Sequence, residues 1–268
     1  MSMVRTTTVV HRREPAPDVV ALTLDCPGLA DAVRPGQYLM VIPRSVQAAA
    51  TALAVYEAEG KRASILFFLT GNRTRELATL RVGDELVVMG PLGNGFDCGV
   101  PARDVAIVAG GVGIASVWLC ARELKARGAR VRLYYGARSE HLLVDADRFA
   151  HSGCEVIVAT DDGSAGHRGF ITEAFEQSQP PDLIFACGPS PMLRAVGAIA
   201  GRWGVRAQLS LEETFGCGVG GCWGCVVAID AASAQAPSFP PAARGGSDVV
   251  YARVCKEGPV FWSEELRW

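Results

Sequence analysis

Apolar and polar positions alternate in short runs through the first hundred residues of the chain. Turn residues such as Pro35-Gly36 and Gly90-Pro91 separate these runs. The pattern predicts strands at residues 6–10, 19–24, 37–42, 52–56, 63–69 and 85–89. Several short strands at this spacing are typical of small antiparallel barrels. We therefore predict a β-barrel domain over residues 1–100.

The pattern changes at residue 104, where continuous apolar runs begin to alternate with helical periodicity. Strands buried on both faces are predicted at residues 104–109, 131–136, 155–160, 183–186 and 205–209. Helices are predicted at residues 114–127, 171–177 and 192–202. Alternation of strands with helices is typical of a doubly wound parallel sheet, which we expect over residues 101–210. No such period continues further, so residues 211–268 are predicted to form a separate C-terminal module.

Glycines follow two of the predicted parallel strands. Gly110, Gly111 and Gly113 separate the first strand from its helix, and Gly188 and Pro189 follow the strand at residues 183–186. Such a turn lets a pyrophosphate approach the N-terminus of the helix, although a glycine triplet alone also fits a plain tight turn. Because ligands of open parallel sheets bind beyond the carboxyl ends of the strands, the two turns together favour a dinucleotide site.

The C-terminal module contains the most specific chemical signal in the chain. Cys217, Cys222 and Cys225 have the spacing C-x4-C-x2-C, and Cys255 follows further along. This is the ligand spacing of plant-type [2Fe–2S] centres. A structural zinc site, which favours two short cysteine pairs, and unligated buried thiols are the alternatives. The spacing favours an iron–sulfur cluster that carries one electron at a time.

Composition narrows the class of protein further. The 268 residues are long enough for two domains and a small module, and 26 basic against 28 acidic residues give no basic surface for nucleic acid. The sequence contains no apolar run long enough for a membrane span and no secretory leader, so we expect no membrane association. Nine cysteines without an export signal indicate a reducing compartment, hence a cytoplasmic protein.

Seven motifs in a fixed order carry a resemblance to a known family, and together they cover nearly the whole chain. They are GPLGNGF (90–96), GGVGIAS (110–116), GARSEHLL (136–143), TDDGSAGHRGFIT (160–172), ACGPSPML (186–193), SLEETFGCGVGGCWGC (210–225) and RVCKEGPVF (253–261). The chain closely resembles the iron–sulfur electron-transfer subunit of class 1B, NAD-dependent dihydroorotate dehydrogenase, within the ferredoxin–NADP reductase superfamily.

The resemblance implies an electron path in pyrimidine biosynthesis. Electrons would pass from dihydroorotate through FMN in a separate catalytic subunit to the [2Fe–2S] cluster, then to FAD and NAD+. By the resemblance, the two kinds of subunit form a heterotetramer. By the resemblance, Gly110, Gly111 and Gly113 line the nicotinamide nucleotide. Cys187 is the expected catalytic residue near nicotinamide and flavin. Glu212 or Glu213 matches an acidic position that precedes the cluster loop.

The flavin motifs of the family are altered in this chain. An expected Arg-Pro-x-Ser run corresponds to residues 51–54, which read Thr-Ala-Leu-Ala, and a Tyr-Arg pair becomes Phe67-Phe68. A Gly-x-Gly-Thr turn keeps only Gly71 and Thr74. Each charge-assisted hydrogen bond lost from the pyrophosphate is worth roughly 1.5–3 kcal/mol. Either Arg73, with help from Arg75 or Arg44, replaces the lost charge, or FAD is bound weakly or not at all.

The leading hypothesis is an electron-transfer subunit that links NAD to a partner flavoenzyme through [2Fe–2S] and FAD. A flavin is expected because NAD+ accepts two electrons together, whereas the cluster passes them singly. One alternative is a stand-alone NAD(P)H:acceptor reductase. Another is a cluster-bearing subunit of a different dehydrogenase that has lost its flavin.

Overall fold

The first hundred residues form a closed antiparallel barrel of six strands. The computed structural model describes residues 3–43, 50–232, 244–245 and 248–268. The strands are β1 (Met3–Ala16), β2 (Val19–Asp25), β3 (Tyr38–Pro43), β4 (Thr51–Glu59), β5 (Arg62–Phe68) and β6 (Glu85–Leu92). They close in the order β1-β2-β5-β4-β3-β6, and a short helix, α1 (Asn72–Ala78), lies between β5 and β6. The predicted barrel is confirmed.

Alternating side chains fill the interior of the barrel. Leu22 and Leu24 of β2, Leu39 of β3, Ile65 of β5 and Val88 of β6 are fully buried in one apolar cluster. Because successive side chains of a strand point to opposite faces, this alternation places one face of every strand inside. Most strands are longer than the sequence predicts, since backbone pairing continues beyond the apolar positions.

The second part of the chain forms a seven-stranded sheet, which confirms the predicted doubly wound architecture. Its strands are β7 (Asp104–Gly110), β8 (Arg130–Ala137), β9 (Glu155–Thr160), β10 (His167–Arg168), β11 (Leu183–Cys187), β12 (Ala207–Ser210) and β16 (Val260–Trp262), in the order β10-β9-β8-β7-β11-β12-β16. The helices are α2 (Ile114–Ala126), α3 (Ala146–His151), α4 (Ile171–Glu176) and α5 (Ser190–Trp203). All strand pairs are parallel except β12 with β16.

Helices cover both faces of this sheet. Val105 and Ile107 of β7 share a core with α2, whereas Ala106 and Val108 of the same strand share a core with α4 and α5. This explains why the strand reads as a continuous apolar run, because neither face meets water. No helix in the described ranges is long and apolar enough to cross a membrane.

The C-terminal segment is divided between a small sheet of its own and the large sheet. Strands β13 (Val226–Asp230), β14 (Arg244–Gly245) and β15 (Val249–Arg253) pair antiparallel in the order β13-β15-β14. The last strand, β16, instead pairs with β12 at the edge of the large sheet, with Ser210 opposite Val260. The segment predicted as a separate module thus also supplies the last strand of the large sheet. The three predicted domain boundaries stay a prediction.

Charged and aromatic side chains join the barrel to the large sheet. Asp145, just before α3, accepts two hydrogen bonds from the guanidinium of Arg13 on β1 and one from the Tyr56 hydroxyl on β4 at 2.5 Å. Arg148 of α3 donates to the same hydroxyl at 3.2 Å and lies over the Trp118 ring of α2, 4.2 Å from its centroid. This network fixes how the two parts of the chain meet.

Candidate functional site

A cavity of about 390 Å³ lies where the barrel, the large sheet and the C-terminal segment meet. Each of the three parts contributes to its wall. The lining residues are Gly36, Tyr38, Thr51, Ala52, Leu53, Ala54, Leu66, Phe67, Phe68, Thr70, Arg73, Thr74, Val112, Ala115, Ser116, Cys187, Ser210, Leu211, Glu212, Glu213, Thr214, Phe215 and Pro259. Val112, inside the first glycine turn, and Cys187, just before the second, line the cavity, whereas the predicted residues Gly110, Gly111, Gly113, Gly188 and Pro189 do not. Residues 211–215, which lead to the cysteines, also line it.

The barrel side of the cavity is largely apolar. It contains residues 51–54 of β4 together with Phe67 and Phe68 of β5, which are the positions where the family's flavin motifs are altered. Within the described part of the chain, Arg73 is the only cationic side chain in the lining. Arg75 does not line the cavity, and Arg44 lies outside the described residues.

Arg73 and Thr74 belong to the turn that opens α1. The Thr74 hydroxyl accepts a hydrogen bond from the Gly71 backbone N–H at 3.2 Å and lies 3.0 Å from its carbonyl oxygen. Gly71 shapes this turn but does not itself reach the cavity. The Arg73 guanidinium is exposed and lies 3.5 Å from the Ala50 carbonyl oxygen. It is therefore free to turn toward an anion at the mouth of the cavity.

The two glycine turns pack directly against each other on the opposite side. A Cβ atom on Gly113 would lie 2.2 Å from the Cys187 carbonyl oxygen, and one on Gly110 would lie 2.9 Å from Pro189 Cδ. A Cβ atom on Gly188 would lie 2.9 Å from the Gly110 nitrogen. Glycine is required here because the backbones are in contact. Gly111 has a φ of +53°, which a side chain would strain.

Cys187 ends β11 and is buried at the inner end of the cavity. Its thiol donates to the Glu212 carboxylate, with 3.7 Å between Sγ and Oε1, and it contacts the hydroxyls of Ser116 and Ser210. Burial, reinforced by the negative charge of Glu212, raises the pKa of the thiol. Cys187 is thus a neutral hydrogen-bond donor at ordinary pH, and a thiol in that state is a poor nucleophile.

Glu212 faces the same cavity from the C-terminal segment. Glu212 is exposed to the open cavity, yet the protein atoms around its carboxyl group desolvate it and raise its pKa, while the hydrogen bond from Cys187 lowers it. Glu213 also lines the cavity, so both candidates for the acidic position are present. Ser116, Ser210 and Tyr38 are not among the site residues predicted from the sequence. Ser116 lies inside the GGVGIAS motif and could have been found there.

The four cysteines of the C-terminal segment lie in two pairs. The side chain of Cys217 contacts that of Cys222, and the side chain of Cys225 contacts that of Cys255. Cys217 Sγ accepts backbone N–H groups from Gly221 at 3.2 Å and from Cys222 at 3.4 Å. The backbone N–H of Cys255 points at Cys225 Sγ at 3.4 Å. Backbone donors aimed at sulfur favour thiolates, and the pKa of Cys217 is lowered to about 6, chiefly by the N–H of Val219.

The arrangement of the four cysteines can be compared with the ligands that a single metal ion and a two-iron cluster require. In the described residues, no three His, Cys, Asp or Glu side chains form a group that could hold a single metal ion. A [2Fe–2S] centre uses four thiolates on two irons, so two neighbouring pairs provide a suitable donor set. Gly218 and Gly220 have φ values of +69° and +82°, and Trp223 has +58°, which gives the tight winding of this turn. The residues present fit a two-iron cluster.

Comparisons with known proteins agree with this architecture. The Oxidoreductase NAD-binding domain family matches residues 107–197. The "Dihydroorotate dehydrogenase B (NAD(+)), electron transfer subunit" of Caldanaerobacter subterraneus subsp. tengcongensis is 34% identical over 259 residues, covering 96% of both chains. The protein with the same name from Bacillus caldolyticus is 35% identical, covering 97% of this chain and 96% of its own.

Solved structures share the fold of this chain. The chain aligns with a structure described as an NADH-dependent reduced ferredoxin-NADP oxidoreductase at a TM-score of 0.82 and 27% identity. The alignment covers 98% of this chain and 90% of the other. A ferredoxin reductase from carbazole 1,9a-dioxygenase, at 23% identity and a TM-score of 0.67, shares the fold over 76% of this chain and 67% of its own. Since the relatives match over nearly their whole length, the chain belongs to the family of electron transfer subunits of NAD-dependent dihydroorotate dehydrogenase B.

Proposed function

We propose that this chain passes electrons between NAD and a partner flavoenzyme through a [2Fe–2S] cluster and FAD. The proposed partner is an FMN-containing dihydroorotate dehydrogenase subunit, in a heterotetramer. One observation carries the proposal. A single cavity has Val112 and Cys187, which adjoin the two glycine turns, on one side, and it shares the wall of Tyr38, Phe215 and Pro259 with the segment that carries the four cysteines.

The sheet side of the cavity supports the binding of NAD. Gly111 has no atom within 4 Å of where a Cβ would lie, so a dinucleotide can approach the N-terminus of α2, a helix of 13 residues, while Gly110 and Gly113 let the two turns pack together. Free N–H groups and the helix dipole there favour a pyrophosphate. Gly188 and Pro189 form the neighbouring turn at the end of β11, which packs against Gly110. Cys187 and Glu212 would then lie at the inner end, where the nicotinamide is expected.

The barrel side of the cavity supports FAD with fewer charges than the family uses. A bound flavin would supply the conversion between paired and single electrons. The apolar wall at residues 51–54 and Phe67-Phe68 suits an aromatic ring system, and it excludes water from it. Among the described lining residues, Arg73 with the hydroxyls of Thr70 and Thr74 is available for the two negative charges of the pyrophosphate. We expect FAD to be retained but bound more weakly than by a site with two arginines.

The cysteine segment supports the one-electron part of the path. Cys217 with Cys222 and Cys225 with Cys255 would each hold one iron. Cys222 is exposed, whereas Cys225 and Cys255 are buried. The pair of Cys222 with the partly exposed Cys217 marks the side of the cluster from which an external partner can be reached, because electron transfer between proteins requires close approach.

The test is a purification of the chain with and without the partner subunit, followed by measurement of iron, sulfide and acid-released flavin. We expect two irons and one flavin per chain, and NAD+ reduction by dihydroorotate only when both subunits are present. Iron without flavin, together with cluster reduction by dithionite but not by NADH, would instead support a subunit that has lost its flavin. Full reductase activity of the isolated chain would favour a stand-alone enzyme.

A matched pair of variants tests the flavin site. Arg73→Met should weaken FAD binding by roughly 10- to 150-fold, because a charge-assisted hydrogen bond of about 1.5–3 kcal/mol is lost. Arg75→Met, which removes the same charge two residues along the same helix but outside the cavity, should leave FAD affinity unchanged. Equal FAD affinity in both variants would show that Arg73 does not hold the pyrophosphate.

A further inference from the structure

Tyr38 separates the cavity from the cysteine segment. It begins β3, is only 4% exposed, and its ring lines the cavity. The ring packs on Phe215, with 4.9 Å between centroids and 50° between the ring planes. Phe215 also lines the cavity and lies two positions before Cys217. The two buried aromatic rings thus form a wall between the proposed flavin site and the proposed iron–sulfur cluster.

The hydroxyl of Tyr38 holds both halves of the cysteine segment. It lies 2.9 Å from the carbonyl oxygen of Gly218, inside the first ligand turn, and 2.9 Å from the carbonyl oxygen of Cys255, the fourth predicted ligand. Both partners are acceptors, so the single hydroxyl proton is shared between them. One side chain of the barrel therefore ties together two ligand segments that are far apart in sequence.

The contact between β3 and the cysteine turn is close at a second point. A Cβ atom on Gly218 would lie 2.5 Å from Met40 Cγ. Tyr38 and Met40 are two residues apart on one strand, so both side chains lie on the same face. The turn is therefore seated on the barrel wall by a hydrogen bond and by packing, and any shift of one element moves the other.

We propose that Tyr38 is a positioning residue that fixes the cluster relative to the flavin cavity and tunes the cluster's reduction potential. The inference rests on the proposed function, since it requires both groups to be bound. The hydroxyl proton is the positive end of the O–H dipole, and it points at the ligand segments. Hydrogen bonds and dipoles around a cluster set its potential, and positive charge near it stabilises the reduced form.

The test is Tyr38→Phe in the complete complex, with Tyr134→Phe as the matched control. Tyr134 is also a buried tyrosine, packed on Phe175 at 5.0 Å, and its hydroxyl accepts a hydrogen bond from Arg132 of β8, outside the cavity lining. If the Tyr38 hydrogen bonds are about 1 kcal/mol stronger with the reduced cluster than with the oxidised one, their loss changes the redox equilibrium roughly fivefold. We expect the one-electron equilibrium between flavin and cluster to shift about fivefold toward the oxidised cluster, or about 40 mV, in Tyr38→Phe only.

Two further measurements separate the roles of the ring and the hydroxyl. Tyr38→Phe should keep full flavin and iron content, whereas Tyr38→Leu should also lose flavin affinity because the wall is opened. A reduction potential of Tyr38→Phe equal to that of the wild type, or an equal shift in Tyr134→Phe, would overturn the inference while leaving the proposed function intact. A wild-type chain that binds no cluster would overturn the proposed function itself, and this inference with it.

Discussion

Asp145 connects the barrel to the large sheet. Replacing it with asparagine should weaken this connection and lower the free energy of unfolding. Its carboxylate accepts the Arg13 guanidinium on both oxygens and the Tyr56 hydroxyl at 2.5 Å. The Asp145 side chain is 14% exposed and that of Arg13 is 32% exposed. Asp145→Asn removes the negative charge, keeps the size, and leaves one oxygen to accept a hydrogen bond.

The size of the effect follows from the number of charged contacts. A hydrogen bond to a charged group contributes roughly 1.5–3 kcal/mol, and an exposed ion pair only about 0–1 kcal/mol. Because this pair is partly buried, we expect Asp145→Asn to lower the free energy of unfolding by about 2–3 kcal/mol. For a chain of this size, each kcal/mol lowers Tm by about 2–4 °C. The melting temperature should therefore fall by about 4–12 °C.

The effect should depend on pH in a defined direction. Burial alone would raise the pKa of Asp145, but hydrogen bonds from Arg13 and Tyr56 outweigh it, and the pKa in the folded state is below its ordinary value of 3.8. The stabilisation is therefore complete above pH 3.8 and is lost as pH falls toward the folded-state pKa. The difference in stability between wild type and variant should be constant near neutrality and narrow below about pH 4.

Urea denaturation followed by circular dichroism, at neutral pH and in acid, measures this difference. Glu123→Gln is the control, because Glu123 pairs with Arg127 at 3.0 Å on an exposed face of α2, where both side chains are more than a third exposed. The control should change stability by less than about 0.5 kcal/mol. Equal losses in the two variants, or a difference from wild type that is independent of pH into the acid range, would refute the reasoning.

The remaining predictions concern the cysteine turn and the glycine turns. Cys222→Ser should abolish the visible absorption of the cluster and electron transfer between subunits, with the far-UV spectrum unchanged; retained iron and full coupled activity would contradict the ligand assignment. Gly113→Ala should lower stability by roughly 1–3 kcal/mol and weaken NADH binding, because its Cβ would lie 2.2 Å from a backbone oxygen. Gly201→Ala, in α5 with open space around it, should instead stabilise the protein by about 0.5–1 kcal/mol, as thermal melts of both variants would show.

The sequence predicts the regular parts of this fold because each strand carries its own signal. The strand Glu155–Thr160 is found within its predicted limits, and the helix predicted at residues 114–127 spans Ile114–Ala126. The helix predicted from residue 192 begins instead at Ser190, since Pro191 can occupy the first turn of a helix. The strand predicted at residues 205–209 is shifted to Ala207–Ser210. Errors therefore concentrate at element ends, where backbone geometry and not side-chain pattern decides.

Other features cannot be read from local pattern because they depend on distant partners. Helices α1 and α3 are short, and their few turns give no clear period. The strand Val260–Trp262 has only three residues, and it forms because β12 offers an unpaired edge. The cavity itself combines residues from all three predicted domains. The motifs locate its parts, but the contacts of Asp145 with Tyr56 and of Tyr38 with Gly218 appear only once the chain is folded.

The pairing of β12 with β16 has a consequence for how such a chain can be built. Ser210 and Val260 are opposite each other, and the Leu211 N–H donates to the Pro259 carbonyl oxygen at 2.9 Å. The chain thus leaves the sheet and returns to it at the same rung of the ladder. Residues 211–259 form an insertion in a hairpin, with both ends held together, and not a tail appended to a finished domain. An insertion of this kind can change in length without disturbing the sheet edge that holds its ends, since closing a longer loop adds little entropy cost. The same sheet edge could therefore carry an electron-transfer centre or a simple turn.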